Sequence, residues 1–430
     1  MSSSTNYPST HTRLLSRALQ RIRSTPPRVI ASPPTQPRRA AVALILRVVP
    51  PPNFPLPSKP ATPPSLIEFF DFDWVKHPAA CPQILFVRRQ KPETADINEN
   101  TRDAHVAFPG GRTEEGDEGG LYTGNGLDLA ESDYTCVGQL DDREITTSLG
   151  KRLLMILSPF VFLQLTPIET PTEPVPETTL HWVSLNTLYP ERTSPDTISQ
   201  PLWSTITVDT ASRLTPRHSR ILRPLMRVLV GSMQFPALVL SNAAPTISGS
   251  IDEKFLRRSF ETESGALNPA LHPASASLYP RVTHAGPQAI KLWGLSLGMT
   301  LDLLSYMSPT PGVPLTPWDS DKLMGGSKGD KNDVRGRINA PPSLTSVFPR
   351  FSYPDVNFWI WVFGKRYRQV IRDWEASLRV GGANDARVNW TGAALTTFYA
   401  AVRKALVVVL VLRSIGVLCG LTFGVWWMLQ

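Results

Sequence analysis

Apolar residues in this chain gather in short blocks separated by long polar or proline-rich stretches. Ala40–Val49 (AAVALILRVV) is an apolar run of strand length and reads as a buried strand. Pro82–Arg88 (PQILFVR) and Tyr134–Leu140 (YTCVGQL) read as a second and a third strand, and Met155–Leu165 and Thr179–Ser184 as further ones. Thr12–Arg23 has helical spacing instead. Leu15, Ala18, Leu19 and Ile22 share one face, and Arg13, Arg17 and Arg21 another. Ala289–Met307 (AIKLWGLSLGMTLDLLSYM) returns to helical periodicity, and Ala405–Leu429 is apolar on every side.

These blocks predict an organisation. Residues 1–38 form a basic arm, read either as a mitochondrial presequence or as a disordered tail. Residues 39–310 hold an α/β (α+β) domain, interrupted at about 190–285 by a Pro/Ser-rich insertion without clear packing. A polar linker (311–345), a juxtamembrane region (346–404) and a transmembrane helix (405–429) follow.

The transmembrane expectation rests on length and composition. At a rise of 1.5 Å per residue, Ala405–Leu429 exceeds a bilayer core of about 30 Å. Arg413 opposes insertion by about 2.5–3.5 kcal/mol. The Leu, Ile, Val and Phe residues of the span favour it by about 4–8 kcal/mol, so insertion wins. Arg403 and Lys404 precede the span and only Gln430 follows it, which predicts a tail-anchored protein facing the cytosol. A working presequence would make it mitochondrial instead. Gly416, Gly420 and Gly424 recur every four residues and would strip one helix face to backbone, which permits homo-oligomer packing; ordinary glycine content is the bland reading.

Charge changes this picture little. The net charge is +8, but nine basic residues from Arg13 to Lys59 precede the first acidic residue, Glu68. Basicity is concentrated in the arm, so no nucleic acid is expected as a partner. The three cysteines, Cys81, Cys136 and Cys419, have no metal-ligand spacing, which excludes a disulfide framework and fits a reducing compartment. The 42 prolines are close to twice the usual share of about 5% and cluster outside the strands.

Candidate chemistry lies in His105–Gly126 (HVAFPGGRTEEGDEGGLYTGNG). A Gly-Gly turn after a short strand lets the backbone approach a diphosphate. The acidic residues behind it suit a hard cation with oxygen ligands, Mg2+ or Mn2+. The expected substrate-binding residues are Arg88, Gly110, Gly111 and Arg112, because a guanidinium matches phosphate oxygens. Solvated loop arginines are the bland alternative. His105 is expected as an ordinary strand residue.

At these residues the chain resembles the Nudix hydrolase family, most closely its coenzyme A diphosphatase branch. The family box reads GX5EX7REUXEEXGU, with U a bulky apolar residue. Gly111 fits its first glycine, Asp117 stands at its first glutamate, and Gly126-Leu127 fits its end. Leu85–Arg89 and His105–Gly111 resemble the branch's extended motif. Ile145–Gly150 with Ser158–Val161 resembles its downstream loop and strand, and Leu292–Ser296 the start of its last helix. The resemblance implies a mixed sheet sandwiched between helices. It also implies metal-dependent hydrolysis of a coenzyme A or nucleoside diphosphate derivative, with Gly111, Glu114, Glu115 and Asp117 as the remaining candidate metal donors.

The box, however, is short. The family places 14 residues between its first glutamate and last glycine, whereas Glu118–Asn125 supplies 8. The REUXEE helix, whose glutamates face the metals together, has no counterpart. Omission of a short exon from the reading frame, true loss, and rescue by Asp141, Asp142 or Glu144 are the three readings of that gap. Catalytic residues are therefore unassigned, and an impaired hydrolase is expected. A non-catalytic membrane-tethered binding or regulatory module is the alternative. A further reading places the aromatic run Phe358–Phe363 (FWIWVF) and the basic stretch Lys365–Arg379 at a membrane surface.

Overall fold

A computed structural model describes residues 9–31, 38–52, 54–55, 62–89, 104–112, 133–146, 153–166, 178–188, 203–209, 224, 227–228, 231–240, 290–307, 346–365, 368–369 and 392–430. They form a mixed sheet with helices against it and one long C-terminal helix. The central strand is β1 (Arg39–Val49). It runs parallel to β7 (Leu153–Gln164) over residues 39–46 and antiparallel to β2 (Cys81–Arg89) over residues 46–49. β5 (Tyr134–Gln139) and β6 (Arg143–Thr146) pair with β7, and β8 (Thr178–Ser184) pairs with β2.

The apolar run of β1 is explained by its position. Leu44, Leu46 and Val48 face one side of the sheet and belong to the main core, with Ile84, Phe86, Val161 and Leu163. Ala43 and Ile45 face the other side, with Leu85, Tyr134 and Phe162. A strand buried on both faces shows no polar alternation. Each residue of the second cluster, including the flanking Phe160, Leu180 and Trp182, comes from a strand; no helix among the described residues contributes to it.

Helix α1 (Thr10–Ser24) covers the first face. Ser9 caps it, accepting a hydrogen bond from the Thr12 backbone N–H at 3.2 Å. The predicted face, Leu15, Ala18, Leu19 and Ile22, is buried together with Leu14. Arg21 donates to the Tyr306 carbonyl at 3.2 Å. Residues 10–24 are thus an ordered part of the core, not the disordered tail that composition suggested. Their apolar stripe found a sheet to cover. Helices α2 (Leu66–Asp71) and α3 (Asp73–Lys76) add Phe69, Trp74 and Val75, and α4 (Leu185–Leu188) adds Leu185 and Leu188.

Two stretches differ from expectation. Within the stretch expected to be an insertion, β9 (Trp203–Asp209) and β10 (Ser232–Leu240) pair along seven positions. Ala289–Met307 is not one helix: Ile290–Trp293 is strand β11, paired with β10, and only Gly294–Met307 is helical, as α5. Gly294, at φ +61°, makes the turn between them, a conformation that side chains with a Cβ rarely adopt.

The C-terminal part is joined to the domain. Within the region expected as juxtamembrane, β12 (Arg350–Phe351) pairs with β10, and α6 (Pro354–Phe363) packs Val356 and Ile360 against the last helix. That helix, α7, runs Gly392–Met428 and so begins before the expected boundary at 405. Its first half contributes Phe398, Val402, Ala405 and Val409 to the cluster, which also touches Met233 and Leu295. Thr396–Met428, 33 residues, is long and apolar enough to cross a membrane.

Candidate functional site

The two glycines expected as a turn lie in a strand, Gly110–Arg112, at the place where β1 and β2 part. The two strands pair only from Leu46↔Ile84 to Val49↔Cys81. Beyond that, the chain from 104 to 112 fills the gap. β3 (Ala104–Ala107) lies antiparallel to β2, through Arg88↔Val106. β4 (Gly110–Arg112) lies antiparallel to β1, with Val42↔Gly110, Ala41↔Gly111 and Ala40↔Arg112. Pro109 stands at the apex, its carbonyl accepting the Ala43 N–H at 2.9 Å. Phe108 fixes the approach by packing on Phe86, ring centroids 4.8 Å apart.

This wedge explains one glycine. A Cβ on Gly110 would stand 2.5 Å from the Ala41 carbonyl oxygen, so only glycine fits without displacing β1. Gly111 follows on the same edge strand, directly opposite Ala41.

Arg88 borders the wedge from β2. It is half-buried and stands opposite Thr179 of β8. His181, two residues along β8, shares that face. Its Nε2 lies 3.0 Å from Thr179 Oγ1. Burial depresses its pKa below the usual 6.5, and the nearby Arg88 charge depresses it further. The sequence reading missed His181. Only strand pairing brings it to Arg88.

Of the expected site residues, then, Arg88, Gly110, Gly111 and the backbone of Arg112 lie on the strands that frame the wedge. Glu114, Glu115 and Asp117 lie outside the described residues. His105 takes a strand position opposite Lys291 of β11. Among the described residues, no three His, Cys, Asp or Glu side chains gather as a metal site. Gly111 alone of the expected donors is described, and it does not by itself make a site for Mg2+ or Mn2+.

Two of the three acids proposed for rescue, Asp141 and Asp142, are engaged in hydrogen bonds. Asp142 is buried and accepts from Ile30 N–H at 2.9 Å, Arg39 Nη1 at 3.1 Å and Gln139 Nε2 at 2.8 Å. Asp141 accepts the Arg28 N–H at 2.9 Å. Arg39 also donates to Ser158 Oγ at 3.0 Å and to the Ile30 carbonyl. This network fastens the chain between α1 and β1 to the sheet. Nearby, the fully buried Arg143 pairs with Asp302 of α5 and donates to the Leu295 carbonyl at 3.3 Å.

No family model matches the chain. It is similar to an uncharacterized protein of Schizosaccharomyces pombe, 26% identical over 221 residues, which is 50% of this chain and 58% of that protein. The chain thus spans little more than half the length of this curated relative.

Proposed function

We propose that the chain is a membrane-tethered Nudix-type module that takes a coenzyme A or other nucleoside diphosphate derivative at the wedge, and that its hydrolase activity is impaired. The feature behind this reading is the Pro109-Gly110-Gly111 segment set between β1 and β2, where Gly110 packs so closely on the Ala41 carbonyl that backbone alone forms that edge of the wedge. Arg88 would meet phosphate oxygens there.

Impairment follows from the donor set. A divalent ion would neutralise diphosphate charge and activate water. The short box lacks the glutamates that would hold it, and Asp141 and Asp142 are engaged by Arg28, Ile30, Arg39 and Gln139. The same engagement favours the second reading, a binding or regulatory module without turnover.

Helix α7 would anchor this module, and Arg403 and Lys404 would keep the preceding domain on the cytosolic side. The packing of α1 into the core speaks against its removal as a mitochondrial presequence. Gly416, Gly420 and Gly424 leave one edge of α7 open, with nothing within 4 Å of an added Cβ, which suits contact with a second copy.

Three measurements on the full chain in detergent test the reading. Coenzyme A should bind by calorimetry and bind more weakly to Arg88→Gln, while Mg2+ or Mn2+ elicits little hydrolysis. Turnover at ordinary enzyme rates, about 1–1000 per second, would sink the claim of impairment. Inserting a six-residue REUXEE-type segment between Thr123 and Gly126 should raise Mn2+ affinity, since the box regains its length. Equal weak affinity before and after insertion would remove the Nudix reading of the wedge.

A further inference from the structure

Helices α6 and α7 pack on one another, and each leaves an apolar face exposed. Resting on the reading of α7 as a membrane span, we infer that α6 is a second lipid-contacting element, and that the Asp355–Arg413–Tyr353 cluster sets the depth at which the chain enters the bilayer.

The buried stripe of α7 is Phe398, Val402, Ala405 and Val409, at steps of four, three and four residues, against Val356 and Ile360 of α6. Beyond Val409 no residue of α7 is buried. From Leu410 to Met428 the helix rises about 28 Å, close to the roughly 30 Å hydrocarbon core of a bilayer. The domain-packed part of the helix and its lipid-length part therefore divide at one point.

Arg413 stands one turn beyond that point, and its charge is met from within the protein. Its Nη2 donates to Asp355 Oδ2 at 2.6 Å, and its guanidinium carbon lies 4.3 Å from the centre of the Tyr353 ring. A satisfied guanidinium next to the tyrosine ring belongs at a headgroup boundary, not at mid-bilayer. Asp355 lies in the first turn of α6, so α6 begins at that same level.

The aromatic residues agree with this placement. Tryptophan collects at the two faces of a bilayer. Trp426 and Trp427 are exposed within one turn of the helix end at Met428 and mark the far face, as Arg413 lies within one turn of the near end at Leu410. Phe358, Trp361 and Phe363 are exposed on α6 and mark the near one. Arg368 covers the Trp361 ring at 4.2 Å, giving that face an apolar body and a cationic tip. Lys365 follows the same aromatic turn, and Arg403 and Lys404 precede the lipid-length stretch. A basic rim around exposed aromatics fits anionic lipid.

The experiment uses the full chain with Cys81, Cys136 and Cys419 replaced by serine, reconstituted into vesicles of phosphatidylcholine and phosphatidylserine. An environment-sensitive dye is placed at Phe358→Cys, Trp361→Cys, Phe363→Cys or Phe423→Cys. We expect blue-shifted emission at all four. Nitroxides shallow in the lipid should quench the three α6 positions, and deep nitroxides should quench Phe423→Cys. If aqueous iodide quenches the α6 positions while Phe423→Cys remains lipid-quenched, the role of α6 is overturned and the anchor stands. If Phe423→Cys is itself open to iodide, both the anchor and this inference fall. Adding Asp355→Ala should draw Arg413 toward water and move a dye at Val417→Cys to a shallower depth; an unchanged depth overturns the role of the cluster.

Discussion

Arg143 shows how much a single side chain can commit a fold. It is fully buried, and burial pulls its pKa down while Asp302 opposes that shift. Removing only the acid strands the cation, so Asp302→Ala should cost about 3–5 kcal/mol in denaturant unfolding of the detergent-solubilised protein. Replacing both partners by apolar residues of similar volume should recover most of that loss. Gly110→Ala should destabilise by about 1–3 kcal/mol in the same assay, because β4 must move away from the Ala41 carbonyl. His181 gives a pH dependence. Its folded pKa lies below the unfolded value of 6.5, so the unfolded chain takes up the proton first. Stability should therefore fall as pH drops below about 6.5, through the window down to the folded pKa. His181→Gln should flatten that part of the profile, and an unchanged slope would remove the assignment.

Helix α1 presents at the level of elements the contrast that residues 143 and 302 present as a pair. Its arginine face invites the reading of a free basic arm, yet its apolar face closes the core over β5 and beside α5. Ile22 lies against Gly138 so closely that a Cβ there would stand 3.1 Å from its Cγ2. Leu19→Ala should cost about 2–5 kcal/mol, whereas the exposed Arg17→Ala should stay within about 0.5 kcal/mol. Equal small effects on the unfolding midpoint would return α1 to the status of a dispensable arm.

At the scale of the whole molecule, a domain at one end and a lipid-length helix at the other share a packed joint. That joint is the cluster of α6, β12 and the first half of α7, and Met233 and Leu295 tie it to the domain. A reporter carrying only residues 395–430 should therefore resist alkaline carbonate extraction, since the exposed part of α7 lies wholly within it. A reporter carrying only residues 1–40 should stay diffuse, because α1 has the sheet as its partner. Membrane or mitochondrial retention of the second reporter would show that α1 also has an addressing role.

Period and composition determined much of this protein on their own. β1, β2, β5, β7, β8 and α7 follow from runs whose length and apolarity fit one element each, and the helical spacing of α1 placed its buried face correctly. Gly110 and Gly111 stood out in the sequence as a turn, whereas the fold places them at the start of β4, where the Ala41 carbonyl of β1 requires glycine at 110. What the sequence left undecided depends on partners distant along the chain. β9 and β10 lie in polar, proline-rich surroundings and gain their identity from mutual pairing and from β11. Ile290–Trp293 has helical periodicity but is a strand, because an edge of β10 and the turn at Gly294 outweigh local preference. Asp142 looked like a spare acid until Arg39, Gln139 and Ile30 were brought to it. Arg413 looked like a charge in lipid until α6 delivered Asp355 and Tyr353. Period is a property of the segment itself, whereas pairing and charge compensation join residues that only the folded chain brings together.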